Sequence, residues 1–295
     1  MKARVAYLTG RSYRGAPIEA GDTPQLERKD RDLVAAAGRA HGIAFETCFW
    51  DEPDLATRGF DGAVVRSCWD YTARAKEFVQ TIVAHERAGL RVWNCADVIR
   101  WNSQKTYLKD LGPAAIETLW LDRADARSVA QAFDTLDASE IVVKPQVGAG
   151  SIETLRLKRN AWSEADLVGG PCGAAMAQPY LNGIETEGER SLVWFGGVFS
   201  HAVRKVPAAG GWLANIPGKT RFFAEQAPAV AREVAEAALG CAPAGLLYVR
   251  IDVVLGDDGR WRVIEIEAIE PYLFLSFAPE GADFFVAAIA RVLGS

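Results

Sequence analysis

The sequence YVRID at residues 248–252 and the sequence VIEIE at residues 263–267 place charged residues at every second position of two otherwise apolar, β-branched stretches. Alternate side chains of a β-strand point to the same face, so each stretch presents its charges on one side. The turn sequence DDG at residues 257–259 lies between them and predicts that the two strands form a hairpin. On that hairpin one guanidinium and three carboxylates converge: Arg250, Asp252, Glu265 and Glu267.

Carboxylates that are buried side by side repel one another unless a cation compensates them. Magnesium is a hard cation that prefers carboxylate oxygens, above all where it also binds a polyphosphate. The pattern therefore predicts a magnesium site formed by Asp252, Glu265 and Glu267. The alternative is a polar sheet face exposed to water, in which Arg250 forms an ion pair with Asp252 or Glu265.

The composition is that of a globular protein, with 295 residues, of which 49% are hydrophobic and 24% charged. The net charge is −5, which offers no basic excess for a nucleic-acid backbone. No apolar run reaches membrane-spanning length, and the five cysteines are scattered without CxxC spacing, as in a protein with reduced thiols. We therefore expect a cytoplasmic protein that has neither nucleic acid nor a membrane as its partner.

The first hundred residues alternate strand-like and helix-like segments, which predicts an α/β arrangement with a parallel sheet covered on both faces. Ligands of such sheets bind at the carboxyl ends of the strands. A short helix is predicted from Ser103 to Leu111, because Ser103 can cap it and Gly112-Pro113 can end it. The last third favours antiparallel hairpins, one of them pairing residues 192–195 with 198–204, so the carboxyl-terminal half is predicted to be α+β.

Two lysines are candidates for binding phosphate. Lys144 ends the apolar strand of IVVKPQVGAGS, residues 141–151, and the loop of small residues after it lets backbone N–H groups approach an anion closely. The stretch is neither a P-loop nor a dinucleotide fingerprint, because GxxxxGK[ST] is absent and no helix follows. Lys105 lies in the first turn of the predicted helix, where a nearby anion would offset the unfavourable dipole. The alternatives are a surface lysine beside a hairpin turn and an exposed first-turn lysine.

The sequence QPYL at residues 178–181 predicts a strand that ends in an irregular segment, whose backbone groups can bind a flat heterocycle. The acidic residues that follow, Glu185, Glu187 and Glu189, could bind ribose hydroxyls or form a solvated loop. Neither GxSxG nor HExxH occurs in the chain, which argues against covalent hydrolysis and zinc hydrolysis.

Taken in this order, the motifs resemble the ATP-grasp superfamily. The resemblance implies an ATP-grasp fold with three domains: a Rossmann-like parallel-sheet domain at residues 1–100, a small lid domain at 101–180 and an antiparallel-sheet domain at 181–295. It also implies the reaction. ATP phosphorylates a carboxylate to an acylphosphate, which an amine then attacks with release of phosphate.

The resemblance implies which residues bind ATP and magnesium. The nucleotide contacts would be Lys105, Lys144, Gly148, Gly150, Ser151, Gln178, Tyr180, and Glu185 or Glu187. Asp252, Glu265 and Glu267 match the magnesium ligands, and Arg250 matches the arginine that steadies the developing oxyanion. The superfamily commonly ends in ExN, whereas this chain has EIE at residues 265–267, and the third carboxylate adds negative charge there.

Four phrases are similar to the glutathione-synthetase-like branch of the superfamily, which includes the ring-closing ligase of cycloserine biosynthesis: VRSCWDY (65–71), VIRWNSQKTYL (98–108), FSHAVRKVP (199–207) and IEPYLFL (269–275). This similarity implies ATP-dependent ring closure of an amino acid–like substrate of the O-ureidoserine type, with release of ADP and phosphate. The alternatives are an intermolecular ligase that forms a dipeptide or amide, and a non-catalytic nucleotide-binding relative. The resemblance also implies a homodimer or a higher homo-oligomer.

An amino acid substrate needs a cation for its carboxylate and an acid for its ammonium group. We expect its pocket between the amino-terminal strands and the carboxyl-terminal strands. The candidate residues are Arg66, Asp70, Tyr71, Asn94, Arg204 and Lys205. Arg66 and Arg204 would bind the carboxylate, and Asp70 would bind the ammonium group. Arg204 and Lys205, at the end of their strand, are also candidate catalytic residues that could reach an anionic substrate. Each of the six also has a structural alternative, such as packing against the sheet.

Overall fold

The computed structural model describes residues 3–11, 22–148, 150–214, 216 and 218–294, without the side chains of residues 22–24. Thirteen strands of the described residues form three sheets, one parallel and two antiparallel. The α/β class and the change to antiparallel sheets in the later part of the chain are confirmed.

The first sheet is parallel and has the strand order β2-β1-β3-β4. Its strands are β1 (Ala3–Thr9), β2 (Ile43–Phe49), β3 (Gly62–Ser67) and β4 (Val92–Trp93). Three α-helices belong to this part of the chain: α1 (Asp22–Ala40), α2 (Ala75–Arg87) and α3 (Ala96–Asn102). Short 3-10 helices cover Leu55–Thr57 and Trp69–Arg74.

Both faces of this sheet are covered, as the alternation of strands and helices predicts. Val5 and Tyr7 of β1 pack with Val34 of α1 in one buried cluster. Leu8 packs in another cluster with Phe78 of α2. Because alternate residues of one strand are buried against different helices, the strands read as apolar throughout.

The helix predicted from Ser103 to Leu111 is wrong in its start and type. Ser103 closes α3 instead, since its hydroxyl donates to the Arg100 carbonyl 3.0 Å away. A 3-10 helix then runs over Lys105–Ala114 with a kink at Gly112, where φ is 52°. The Lys105 N–H donates to the Gln146 carbonyl, 2.9 Å away, and so joins this segment to the loop after Lys144.

The second sheet is antiparallel, with the order β5-β8-β6-β7. Its strands are β5 (Leu119–Leu121), β6 (Glu140–Pro145), β7 (Leu155–Lys158) and β8 (Ala175–Pro179). Helix α4 (Ala126–Thr135) packs on it through Val129 and Phe133, and a 3-10 helix covers Glu164–Leu167. Residues 146–148 and 150–154 lie between β6 and β7, as the sequence of small residues predicts.

The third sheet is antiparallel, with the order β11-β10-β9-β12-β13. Its strands are β9 (Glu189–Phe195), β10 (Val198–Val206), β11 (Arg221–Glu225), β12 (Tyr248–Leu255) and β13 (Trp261–Glu267). The accompanying helices are α5 (Gly183–Thr186), α6 (Ala229–Leu239) and α7 (Gly281–Leu293). The hairpins predicted for β9 with β10 and for β12 with β13 are confirmed.

Helix α7, near the end of the chain, packs against the first sheet. Phe285 of α7 is fully buried and packs in one cluster with Val5 and Val34 of the first sheet and with Tyr248 of the third. The three sheets fall inside the three predicted ranges, and the domain limits themselves stay a prediction. No helix among the described residues is long and apolar enough to cross a membrane.

Candidate active site

The charged residues of β12 and β13 meet as the strand pattern predicts. Arg250 lies directly opposite Glu267, and Asp252 lies opposite Glu265. Asp252, Glu265 and Glu267 each offer an oxygen atom, and these atoms lie within 4.8 Å of one another. We call these three residues the carboxylate cluster. Its donor set fits Mg²⁺, and the role of the three residues as metal ligands stays a prediction.

Asp252 is fully buried among donors. Its Oδ1 and Oδ2 accept hydrogen bonds from Arg250 at 2.9 Å, Lys205 Nζ donates to Oδ2 at 2.9 Å, and Ser191 Oγ donates to Oδ1 at 2.6 Å. Burial alone would raise the pKa of Asp252, but Arg250 and Lys205 outweigh it and lower the pKa to about 2. Asp252 is therefore ionised at neutral pH.

The surroundings of Glu265 and Glu267 shift the pKa values of these two carboxyl groups in opposite directions. Lys105 Nζ donates to Glu265 Oε2 at 2.6 Å, and the two lysines Lys105 and Lys144 lower the pKa of Glu265 against the effect of burial. Burial, together with the charges of Glu265 and Asp252, raises the pKa of Glu267 well above its ordinary value, although Arg250 forms an ion pair with it. An added divalent cation would relieve this repulsion, which is further support for a metal site.

A cleft opens between the second and third sheets beside the carboxylate cluster. It is lined by six of the nucleotide-binding candidates and by a cluster residue: Lys105, Lys144, Gly148, Gly150, Ser151, Gln178 and Glu265. Apolar side chains form much of the remaining wall: Ile116, Val142, Leu181, Trp212, Leu213 and Ile264. A cleft with apolar walls and two lysines suits a nucleotide, whose base is apolar and whose phosphates are anionic.

Lys144 ends β6 inside this cleft. Burial and the charge of Lys105 lower the pKa of Lys144 to about 8, although Glu265 works in the opposite direction. A partly buried lysine with a lowered pKa favours an anion beside it, because a phosphate would stabilise its charged form. The prediction that Lys144 binds phosphate is consistent with this position but is not tested by it.

Three of the predicted nucleotide contacts lie outside the lining of the cleft: Tyr180, Glu185 and Glu187. The Tyr180 hydroxyl donates to Glu185 Oε1 at 2.5 Å, and the Arg156 guanidinium lies 3.5 Å from the centre of the Tyr180 ring. Arg156 also donates to Glu185 at 2.6 Å, so this pair is joined to the β6–β7 hairpin. Glu187 is half-exposed and lies near Arg190.

Of the three acids that follow QPYL, Glu189 is the one that lines the cleft, whereas the resemblance implies Glu185 or Glu187 as the nucleotide contact. Glu189 is buried, forms an ion pair with Lys205, and burial raises its pKa to about 7. The strand alternation of β9 carried the signal, because Glu189 shares a face with Ser191, the partner of Asp252.

Strand alternation also separates the two cations that end β10. Lys205 points into the carboxylate cluster, where it contacts Asp252, and it also forms an ion pair with Glu189 beside the cluster. Arg204 lies on the opposite face, is about one-third exposed, and forms an ion pair with Glu225 at 3.2 Å. The structure thus brings Lys205 to the cluster and leaves Arg204 outside it.

Two of the remaining substrate candidates are held by other contacts. Asp70 accepts hydrogen bonds from Trp50 Nε1 at 3.0 Å and from the Arg11 N–H at 3.2 Å. Asn94 donates to the Tyr248 and Ala268 carbonyls, each at 2.8 Å, and accepts from the Leu247 N–H at 2.7 Å. Asn94 therefore joins the first sheet to the third through hydrogen bonds, and the neighbouring sequence does not indicate this role.

Arg66 and Tyr71 are both buried, and both lower the pKa of Glu270 against the effect of burial. The Tyr71 hydroxyl lies within hydrogen-bonding reach of Glu270, and the Arg66 guanidinium lies 4.8 Å from the centre of the Tyr248 ring. Arg66 also lines a second, narrower cavity together with Glu27 and Asp30 of α1. Sequence reasoning missed these two acids, because nothing in the pattern of α1 separates them from surface acids.

Comparison with known proteins shows a curated relative that is similar along nearly the whole chain. The cycloserine biosynthesis protein DcsG of Streptomyces lavendulae is 32% identical over 289 residues, which cover 90% of this chain and 94% of that protein. A family model described as the amino-terminal domain of the D-cycloserine synthetase DcsG matches residues 5–94. The crystal structure of D-cycloserine synthetase DcsG superposes with a TM-score of 0.82 at 30% identity, covering 99% of this chain and 100% of that one.

The chain belongs to the DcsG-like ATP-grasp ligases. It is an ATP-dependent ligase that forms a carbon–nitrogen bond, and the resemblance to the glutathione-synthetase-like branch is confirmed. The glutathione synthetase of Ralstonia nicotianae is 23% identical over 252 residues, covering 81% of this chain and 74% of that protein. The D-alanine–D-alanine ligase of Bacillus anthracis, complexed with ATP, superposes with a TM-score of 0.67 at 18% identity, over 99% of this chain and 97% of that one. This last likeness concerns the fold of the ligase alone.

Proposed function

We propose that the protein closes the ring of an amino acid–like substrate of the O-ureidoserine type by activating its carboxylate as an acylphosphate. The observation that carries this proposal is the carboxylate cluster, which lies beside Lys105 and Lys144 and has Arg250 within it. The second support is the similarity to DcsG along nearly the whole chain.

ATP would bind in the cleft, with its phosphates toward Lys105 and Lys144 and its base between the apolar walls. The loop at residues 146–154 offers backbone N–H groups to the phosphates, which is the use of small residues such as Gly148 and Gly150. Magnesium held by Asp252, Glu265 and Glu267 would neutralise charge on the phosphates during transfer. Glu189, rather than Glu185 or Glu187, is the acid in the cleft that could accept a hydrogen bond from the ribose.

Phosphoryl transfer makes the carboxylate reactive, because phosphate is a far better leaving group than oxide. The Arg250 guanidinium donates to both Asp252 and Glu267, which fixes its orientation at the edge of the cluster. A guanidinium fixed in this way can stabilise the oxyanion that forms when nitrogen attacks the acylphosphate carbonyl. Because the attacking nitrogen and the acylphosphate carbonyl belong to one molecule, holding them close together supplies much of the remaining rate acceleration.

The nitrogen next to the chain oxygen of O-ureidoserine attacks the acylphosphate carbonyl, phosphate leaves, and the nitrogen proton is lost to solvent. The ring formed still carries the carbamoyl group and is lighter than the substrate by one water. Hydrolysis of that carbamoyl group then consumes one water and gives cycloserine, carbon dioxide and ammonia.

The experiment is ADP release with ATP and Mg²⁺ against D- and L-O-ureidoserine, single amino acids and pairs of amino acids, followed by product mass. Release with O-ureidoserine alone, with a cyclic product, is the expected result. Release that requires two amino acids would replace the proposal with an intermolecular ligase. Nucleotide binding with no turnover on any substrate would point to a non-catalytic relative.

We also propose the division into domains at residues 1–100, 101–180 and 181–295, a cytoplasmic location and a homo-oligomeric state. The cytoplasm supplies the ATP that the reaction consumes. Sedimentation velocity tests the oligomeric state, and limited proteolysis near residues 100 and 180 tests the domain limits.

A further inference from the structure

Glu270 lies in the segment that follows β13, and side chains from other elements fix the backbone on either side of it. Four buried side chains donate hydrogen bonds to this segment: Asn94, Tyr248, Arg66 and Arg250. Their acceptors are the carbonyl oxygens of residues 268, 269, 271 and 272. The place of Glu270 is therefore set by the junction of the first and third sheets.

The Glu270 side chain is buried without a paired cation. It is 7% exposed, and in the part of the chain that the structure describes it forms no ion pair with a lysine or an arginine. Arg66 and Arg250 lie near enough to lower its pKa, but both guanidiniums donate to other groups. Burial outweighs them and raises the pKa of Glu270 to about 7. A buried carboxylate costs free energy unless a cation pairs with it, so this position favours a cationic ligand.

The partner that Glu270 does have is neutral. The hydroxyl of Tyr71 lies within hydrogen-bonding reach of the Glu270 carboxyl and lowers its pKa. A hydroxyl can orient a carboxylate, but it does not compensate its charge. A ligand that adds a positive charge would complete this pair.

The pair of Tyr71 and Glu270 lies beside the carboxylate cluster. The charge of Glu270 raises the pKa of Glu267, and the charges of Glu265, Glu267 and Glu270 all raise the pKa of Tyr71. These mutual effects show that the pair is close to the cluster. The side chain of Glu267 is 28% exposed, so a small polar group can approach from the side of the cluster.

The cation of an amino acid substrate would lie at this place. In an α-amino acid the ammonium nitrogen and the carboxyl carbon are bonded to the same carbon atom, so the two charged groups are close together. The carboxylate that is phosphorylated would lie beside Arg250, whose charge also acts on Glu270. Asp70 already accepts hydrogen bonds from Trp50 Nε1 and from the Arg11 N–H. Glu270 is therefore the better placed of the two acids.

We propose that Glu270, rather than Asp70, binds the ammonium group of the substrate, and that Tyr71 orients the Glu270 carboxyl for this contact. The inference rests on the proposed ring-closing function and deepens it. It makes Glu270 the residue by which the enzyme selects an α-amino acid over a carboxylic acid that lacks the amino group.

The test compares O-ureidoserine with its desamino analogue, which has the same carboxylate and the same attacking nitrogen but no α-amino group. We expect Glu270→Gln to lower kcat/KM for O-ureidoserine by about 30-fold or more, mainly through a higher KM. The same variant should change kcat/KM for the desamino analogue by less than about threefold. Glu280→Gln is the matched control, because Glu280 is exposed, and it should leave both values within about twofold.

Two further variants test the roles of the neighbouring residues. Tyr71→Phe keeps the carboxyl in place and should lower kcat/KM for O-ureidoserine by about fivefold while sparing the desamino analogue. Asp70→Asn should change kcat/KM for the two compounds by the same factor. A selective loss on O-ureidoserine in Asp70→Asn but not in Glu270→Gln would overturn the inference and assign the ammonium group to Asp70. Equal losses on both compounds in Glu270→Gln would also overturn it, since Glu270 would then act on a group that they share.

Calorimetric binding of the two compounds, with Mg²⁺ and a non-hydrolysable ATP analogue present, separates this inference from the proposed function because it needs no turnover. If no compound releases ADP, the proposed function fails. Tighter binding of O-ureidoserine than of its desamino analogue, with the difference abolished in Glu270→Gln, would still support the role of Glu270. Equal binding of the two compounds to the parent protein would overturn it.

Discussion

The ammonium group of Lys105 lies 2.6 Å from Oε2 of Glu265, a residue 160 positions further along the chain. The backbone N–H of Lys105 meanwhile donates to the carbonyl of Gln146, at the start of the loop that follows β6. One lysine therefore connects the carboxylate cluster of the third sheet to the glycine loop of the second. A substitution of Lys105 or of Glu265 is therefore expected to affect both the carboxylate cluster and the loop that follows β6.

Glu265→Gln is expected to lower kcat by about 100-fold or more and to raise the Mg²⁺ concentration needed for half-maximal rate. The amide keeps the shape of the side chain but removes the charge that faces both the metal and Lys105. ADP release measured over a range of Mg²⁺ concentrations checks this prediction. Asp258→Asn is the control, because Asp258 lies in the exposed turn of the same hairpin and pairs with Arg262. An unchanged kcat in Glu265→Gln would contradict the assignment of the metal site.

The lowered pKa of Lys144 predicts how ATP binding depends on pH. With a pKa of about 8, Lys144 is charged below that pH and loses its proton above it. Bound phosphate favours the charged form, so ATP binding at about pH 9 should take up a proton and weaken as pH rises. Isothermal titration in buffers of different ionisation enthalpy measures this uptake.

Lys144→Arg provides the comparison, since a guanidinium stays charged throughout this range. The variant should bind ATP with no proton uptake between about pH 7.5 and 9.5, whatever its absolute affinity. The same uptake in both proteins would mean that another group titrates and that Lys144 does not contact phosphate.

Much of the cluster and cleft could be predicted from sequence because strands repeat every two residues. YVRID and VIEIE fix the positions of Arg250, Asp252 and the two glutamates by alternation alone, and the DDG turn sets them opposite one another. Helices and 3-10 segments carry no comparable signal. Glu27 is one of several acids and bases on α1, and only the tertiary fold shows that it is buried.

Loop geometry accounts for most of the remaining differences. The residues that follow QPYL form the single turn of α5, after which the chain enters β9 at Glu189. Glu185 therefore points to Arg156, outside the lining of the cleft, and the next strand brings in Glu189. The number of residues in such a turn decides which acid faces the cleft, and the pattern of acids alone does not give that number.

The raised pKa of Glu270 predicts that the free energy of unfolding depends on pH. Burial raises its pKa to about 7 from an ordinary value of 4.5, although Arg250 and Arg66 act against it. The folded protein therefore holds this proton more tightly than the unfolded chain, so stability falls as pH rises from about 4.5 through about 7. Glu270→Gln should be close to the parent at about pH 5 and more stable at about pH 8.5, by up to about 3 kcal/mol.

Urea unfolding at the two pH values measures this difference. Glu280→Gln serves as the control, because Glu280 is exposed at the start of α7 and should change stability by less than about 0.5 kcal/mol at either pH. If the free energies of unfolding of Glu270→Gln and the parent differed by the same amount at both pH values, Glu270 would not titrate in this range.

Asn94→Ala is expected to destabilise the protein without a specific effect on substrate binding. Its amide makes three buried hydrogen bonds to the backbone, to the carbonyls of Tyr248 and Ala268 and from the N–H of Leu247. Removing it leaves these three groups unpaired at the junction of two sheets, a loss of about 3 kcal/mol or more. Thermal unfolding should show a Tm lower by roughly 6 °C or more, whereas Asn160→Ala, at an exposed turn, should leave Tm within about 1 °C. If Asn94→Ala kept the parent Tm but raised KM for the amino acid substrate, Asn94 would be a binding residue after all. The expected outcome is the reverse, with KM values measured well below the Tm unchanged within about threefold.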